Sequence, residues 1–460
     1  MTVRAAAAIA ALSVVALCAC HPAPDAHVTK DPMNAEYTIL TNAAGASRLY
    51  AASGSSSLVA EHRDWLHQAF HDRAAEAPGI LQLLAPDGAV QRTVSGWALG
   101  GPLPSGEMAW VEEVGEEYRY RTARTGGNGS SLAPPGDYWV IAAAVGHTTS
   151  PLAAVVLWRP AKGASPRDPA VRRDELWIAS VDRATGAVLH TGQFTLTLPW
   201  DREQGVLLGG PEASPILLLV GLPDPGGPPA YRVLGLRLPS LEVAFESQLD
   251  VVSAEASHAP SPAADPARAS VPLPGSSHLS GNDLRTLYSV MGAPLGDGSG
   301  WLLAHGGLIR RILVTDLCVL IGTDGKATNL PDIHLPGTDQ LSPIIDQPGV
   351  LLLGKEGPRT QQHFASINAV WPASAKVETL ADRQTQVHGR ELGGDPGLVP
   401  MSAALRGGRL YVAPPSGGDL IGADSEDVRN LQTTPPTWHQ SNRPRVRARQ
   451  QWIEDRTKHY

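Results

Sequence analysis

Short apolar runs separated by tight polar turns dominate the chain, and several share one shape: strand, turn, strand. Ile80-Leu81-Gln82-Leu83-Leu84 runs through Pro86-Asp87-Gly88 into Ala89-Val90-Gln91-Arg92-Thr93-Val94. Leu176–Val181 passes through Ala184-Thr185-Gly186 into Ala187-Val188-Leu189. Tyr231–Leu238 turns at Pro239-Ser240 into Leu241–Phe245, and Ile312–Ile321 turns at Thr323-Asp324-Gly325 into Lys326-Ala327-Thr328. A glycine after Asp or Thr supplies the positive φ that tight hairpins need, so Gly88, Gly186 and Gly325 are expected to adopt it. Such turns fall near residues 87, 185, 240 and 324, with weaker ones near 45, 374 and 417. Intervals of about 40 to 55 residues, or twice that, match blade-sized repeats. The fold class expected is all-β, a β-propeller of about seven or eight degenerate blades. Such a ring also hides the sheet edges that so many strands would otherwise expose.

Two segments depart from the pattern. Leu58–Ala75 predicts one short N-terminal helix: Ser55-Ser56-Ser57 offers capping hydroxyls, and Leu58, Trp65, Leu66, Ala69 and Phe70 fall on one stripe. On that helix Asp64, His67 and His71 would share a face and are the candidate metal ligands, able to hold Zn²⁺ with positions left for water. Gln68 stands where a His-Glu-x-x-His metalloprotease carries its glutamate, and polar residues opposite an apolar stripe are also the mark of any surface helix. Residues 253–283, rich in Ala, Pro and Ser, predict a long disordered insertion between blades.

The composition agrees with this picture. Forty-seven glycines and forty prolines are too many for a helical protein of 460 residues, and 42% hydrophobic residues can fill a large core. Eleven tryptophans against four phenylalanines suggest blade packing or exposed platforms for sugars and partner side chains. Trp110, beside Glu112, Glu113, Glu116 and Glu117, reads as the most exposed and is a candidate binding residue on an acidic loop. The net charge of −8 disfavours nucleic acid as a partner. A basic tail runs the other way over 434–460, with Arg443, Arg445, Arg447, Arg449, Arg456 and Lys458 against Glu454 and Asp455. That tail can touch anionic headgroups or simply be solvated. No Gly-x-Ser-x-Gly elbow, Ser-x-x-Lys pair, P-loop, calcium loop or zinc-spaced cysteine pair occurs, and no cofactor is implied.

At the N-terminus Arg4 precedes an apolar stretch, Ala5–Leu17, too short to span a bilayer of roughly 30 Å as a helix. It ends in Leu17-Cys18-Ala19-Cys20, which resembles the lipobox of bacterial lipoproteins. That resemblance implies cleavage before a cysteine preceded by a small residue, hence lipidation of Cys20 rather than Cys18. His21 after it, where aspartate would signal inner-membrane retention, favours the outer membrane with the protein facing the periplasm. The expected organisation is a signal peptide over 1–19, a tether over 20–35, a propeller-like domain over 36–433 and the basic tail. Cys318, then alone in the mature domain and set in an apolar run, is expected to be a buried packing thiol.

Leu176–Gly186 also resembles the strand-Asp-x-x-Thr-Gly unit of quinoprotein-like and YVTN-type propellers. It covers a small part of the chain, so no quinone site is carried over. The function expected is a membrane-anchored, non-enzymatic binding or scaffold lipoprotein with a protein or glycan partner in the periplasm. Two alternatives stand beside it: a propeller enzyme acting on glycans or lactones, and an immunity lipoprotein against an interbacterial toxin.

Overall fold

The computed structural model describes residues 27–413 except 31–34, 41–45, 63–78, 115–116, 123–128, 137, 146–149, 162–173, 199–201, 223–229, 251–287, 310–311, 334, 336, 357–362, 388–389 and 393–399. Cys18, Cys20, Asp64, His67, His71, the 253–283 insertion and the basic tail lie outside the described residues.

The described strands form sheets of twelve, seven, four, four and two strands, and their mainly antiparallel meanders divide into sets I to VII. Two strands open the chain, β1 (His27–Lys30) and β2 (Ala35–Ile39). Set I is β3 (Ala46–Tyr50), β4 (Leu58–His62), β5 (Gly79–Leu84) and β6 (Val90–Ala98). Set II is β7 (Ala109–Val114), β8 (Glu117–Thr122) and β9 (Ser130–Leu132), with the end of β6 paired on β7. Set III is β10 (Trp139–Val145), β11 (Leu152–Pro160), β12 (Asp174–Asp182) and β13 (Val188–Leu196). Set IV is β14 (Val206–Gly209), β15 (Ile216–Gly221), β16 (Ala230–Arg237) and β17 (Glu242–Asp250). Set V is β18 (Tyr288–Pro294), β19 (Gly300–Ile309), β20 (Ile312–Gly322) and β21 (Ala327–Asn329). Set VI is β22 (Thr338–Ile345), β23 (Val350–Glu356), β24 (His363–Trp371) and β25 (Lys376–Asp382). After a small hairpin of β26 (Gln386–Val387) and β27 (Arg390–Glu391), β28 (Ser402–Arg406) and β29 (Arg409–Ala413) form set VII. Its sheet is completed by β2, parallel to β29, and by β1 outside β2.

Seven apolar clusters fill the seams between successive sets and close the circle. In a strand, neighbouring side chains point to opposite faces, so a strand buried on both faces must be apolar throughout. β15 obeys this: Leu217 and Leu219 join Trp158 and Ile178 in the III–IV seam, whereas Leu218 and Val220 join Trp301 and Leu303 in the IV–V seam. β11 does the same, with Val155 and Leu157 packed against Trp97, Tyr118 and Tyr120 of set II and Val156 and Trp158 facing set IV. Met291, Leu302 and Cys318 meet Val350, Leu352 and Val370 between V and VI. Leu351 and Ile367 meet Tyr37, Leu410 and Val412 between VI and VII. Ala404 and Tyr411 meet Leu49, Leu58 and Leu84 between VII and I, and Val59 and Leu83 meet Met108 and Trp110 between I and II. Every set is thus wedged between two others, which is the arrangement of a β-propeller. The fourth strands β13 and β17 are partly exposed and carry polar and charged residues such as His190, Gln193, Glu242 and Glu246 among a few exposed apolar ones.

Polar straps cross the same seams. The Tyr37 hydroxyl donates to the Leu380 carbonyl between VII and VI, and Ser402 Oγ donates to Ala46 O at 3.1 Å between VII and I. Ser180 Oγ reaches Pro239 O at 2.8 Å between III and IV, and Ser247 Oγ reaches Gly325 O at 2.6 Å between IV and V.

The turn glycines fall as expected: Gly88, Gly186 and Gly325 have φ of 85°, 73° and 81° in hairpin turns. In the second of these, Thr185 donates both its backbone N–H and its hydroxyl to Asp182 Oδ1, at 2.7 and 2.8 Å. Cys318 is buried, and burial pushes its thiol pKa up to about 12. Two expectations need correction. Leu58–His62 is strand β4, not the start of a helix, because Leu58 and Ala60 face one seam and Val59 the other, and backbone pairing to β3 and β5 overrides the helical stripe. Residues 27–30, expected within the tether, form β1. Among the described residues, no helix is long and apolar enough to cross a membrane.

Candidate functional site

Connections sort by their place in each set. Those from third to fourth strands are tight, at 85–89, 183–187, 238–241, 323–326 and 372–375. Those from first to second strands, such as 346–349, 295–299 and 51–57, are none longer than seven residues. Those from second to third strands, or from one set to the next, include the long ones: 63–78, 161–173, 222–229, 251–287 and 383–401. In an antiparallel meander the two classes leave opposite ends of the strands. The ring therefore has a turn face and a loop face, and long connections on a rigid scaffold are where functional groups concentrate. β4 ends at His62 on the loop face, and Asp64, His67 and His71 follow it in sequence, outside the described residues. At this end of β4 His62 Nε2 lies 2.7 Å from Gln82 Oε1, and buried Glu61 accepts the Tyr50 hydroxyl at 2.9 Å. Among the described residues, no cluster of three or more His, Cys, Asp or Glu is placed to hold a metal ion.

Trp110 is 4% exposed, not an open platform. It lies on β7 in the seam between sets I and II, covered by the Arg92 guanidinium 5.1 Å from its ring centroid, with its indole N–H 3.4 Å from Glu112 Oε2. The expected acidic loop is a paired strand surface, in which Glu112 binds Arg121 and Glu117 binds Arg119 at 3.1 Å. β7 is buried on both faces over Ala109–Val111, with Trp110 in the I–II seam and Val111 in the II–III seam, and sequence distance to the glutamates does not reveal that.

Trp97, Trp158, Trp177 and Trp301 are buried packing residues in the seams. Trp371 differs. It ends β24 at the turn face and lines a recess of about 510 Å³ with Pro348, Ala373, Ser374, Lys376 and Glu378. Two hairpins supply the walls: 346–349 from β22–β23 and 372–375 from β24–β25. The register sets Trp371 opposite Lys376. The Trp371 indole N–H points to Glu378 Oε2 at 3.3 Å, and the Lys376 ammonium pairs with the same carboxylate. The ring is seated on the bare backbone of Gly349, where an added Cβ would come 2.7 Å from one of its carbons. Ser374 Oγ bonds Trp371 O at 3.3 Å and Ala375 N bonds Pro372 O at 3.2 Å, so the turn is internally braced. An aromatic ring is thereby fixed at the rim of a concavity, with one acceptor and one donor beside it. Sequence reasoning passed over this group because Lys376 and Glu378 reach Trp371 only through the hairpin.

A deeply buried histidine, His305 on β19, lies in the IV–V seam. Its Nδ1 lies 2.6 Å from the Tyr231 hydroxyl of β16, the two rings meet edge to face at 4.9 Å, and burial lowers its pKa to about 3. The imidazole is therefore neutral at neutral pH, and its hydrogen bond with the tyrosine hydroxyl joins two sets.

No family model matches the sequence, and no protein of curated function matches it. Among solved structures, the chain is similar to an uncomplexed acylaminoacyl peptidase of Pyrococcus horikoshii, with 10% identity and a TM-score of 0.41 over 80% of this chain and 49% of that one. It is similar to an oligogalacturonate lyase from Vibrio parahaemolyticus at 11% identity and a TM-score of 0.41, covering 82% of this chain and 89% of that one. The β-propeller domain of the Trilobed protease from Pyrococcus furiosus, described as having an open velcro topology, is similar at 10% identity and a TM-score of 0.36, covering 74% and 85%. The chain spans about half the length of the acylaminoacyl peptidases.

Proposed function

We propose that the protein is a lipid-anchored periplasmic lipoprotein of the outer membrane that works by holding a protein or glycan partner on a face of a seven-bladed propeller. The observation that carries the binding part is the recess beside Trp371, where two braced hairpins fix an aromatic ring and an ion pair without any long connection to reorganise. Preformed contacts of this kind lower the entropy cost of association. The anchor rests on Leu17-Cys18-Ala19-Cys20. β1 begins at His27, and the seven residues from Cys20 reach at most about 25 Å, so the blade containing β1 and β2 stands next to the membrane surface. Fractionation tests the anchor: Cys20→Ser releases the protein into the soluble fraction and Cys18→Ser does not. Retention of both variants on membranes overturns it.

A second reading is a propeller enzyme acting on glycans. What supports it is that β4, which precedes Asp64, His67 and His71 in sequence, ends on the face that gathers the long connections. Stoichiometric divalent metal in the purified protein, lost in His67→Ala, supports that reading; metal-free protein argues for binding alone.

A further inference from the structure

We propose that the recess beside Trp371 is a site for a neutral saccharide. This rests on the binding reading above and names its ligand class. A pyranose ring presents an apolar C–H face bordered by hydroxyls, so its site needs a flat apolar surface flanked by hydrogen-bonding groups. The indole of Trp371 is such a surface, and it is oriented before any ligand arrives: Glu378 holds its N–H and Gly349 lies against its six-membered ring. A rigid aromatic buries area at little conformational cost, whereas a freely rotating one must first be ordered.

The rim specifies the class further. Lys376 offers N–H donors and Glu378 a carboxylate acceptor, the two that a sugar's hydroxyls require. Because they pair with each other, their charges cancel, and neither a phosphate nor a cation finds an uncompensated partner. Ser374 adds a hydroxyl and Pro348 and Ala373 add apolar wall. The recess is broad and open to solvent, so it meets one face of a saccharide chain rather than enclosing a ligand. An extended peptide would instead pair with the backbone of β25, the outer strand of set VI, and would not need the indole.

The test uses the full-length Cys20→Ser protein with ¹⁵N-labelled tryptophan, so it is independent of whether the anchor is real. Maltohexaose, cellohexaose and chitohexaose are titrated in turn to millimolar concentration while the eleven indole N–H resonances are followed. The resonance assigned to Trp371, by its loss in Trp371→Phe, should shift saturably with at least one oligosaccharide while the buried Trp97, Trp158 and Trp301 signals stay in place. Lys376→Ala, an exposed change that leaves folding intact, should weaken binding several-fold. Gly349→Ala, which lifts the ring from its seat without deleting it, should weaken it at least tenfold. No shift with any of the three sugars overturns the proposal. So does an equal affinity in Gly349→Ala, or a Trp371 response to a proline-rich peptide but to no sugar.

Discussion

Acidification should loosen one particular seam. His305 is neutral in the fold and its Nδ1 is hydrogen-bonded with the Tyr231 hydroxyl at 2.6 Å, so protonating it buries a charge in the seam. Its pKa falls from the ordinary 6.5 to about 3 on folding, through burial. A base whose folded pKa is depressed binds its proton more readily when unfolded. Its contribution is therefore complete above pH 6.5 and declines as pH falls through the window between 6.5 and about 3. The slope is at most about 1.4 kcal/mol per pH unit, so stability drops by roughly 2–3 kcal/mol over the first two units. Urea unfolding of the wild type and His305→Gln across this range measures it. The variant starts less stable at neutral pH, and the gap between the two should shrink by roughly that amount on acidification. Parallel pH profiles, or an NMR titration of His305 near its ordinary value, would refute the reasoning.

Three further changes probe the ring and its turns. Tyr37→Phe removes the hydroxyl strap from β2 to Leu380 and should cost about 1–2 kcal/mol in urea midpoint analysis. Burial and the charge of Asp382 raise the Tyr37 pKa to about 12, so the strap should persist until strongly alkaline pH. Gly325→Ala should cost about 1–2 kcal/mol for its φ of 81° alone. The new Cβ would also come 2.5 Å from the Phe245 ring, and an unchanged thermal midpoint would contradict that packing. Trp158→Ala, emptying the III–IV seam, should cost about 3–5 kcal/mol.

The strand-turn-strand units were legible because two physical requirements coincide in a few residues. A continuous apolar run such as Ile216–Val220 is needed only where both faces are buried, and a glycine after Asp or Thr only where φ is positive. The helical stripe misled at Leu58–His62 because a five-residue strand is too short to show its period of two against a competing period near four. A second Asp-Arg-x-Thr turn, Asp382 to Thr385, holds its threonine hydroxyl at 2.8 Å as Asp182 does. No glycine follows it, so it left no turn signal. The recess at Trp371 and the pairing of β2 with β29 depend on contacts between hairpin arms or chain ends, which no local pattern encodes.

Closure of the ring by its first and last strands is the claim on which everything else depends, and disulfide trapping tests it most directly. The register sets Glu36 opposite Arg409 in the parallel β2–β29 pair. A Glu36→Cys/Arg409→Cys protein, with Cys18 and Cys20 replaced by serine, should oxidise to a single intramolecular disulfide linking the two ends, while a Glu36→Cys/Arg406→Cys control should not. An unlinked chain, or equal linkage in the control, would contradict the closed ring.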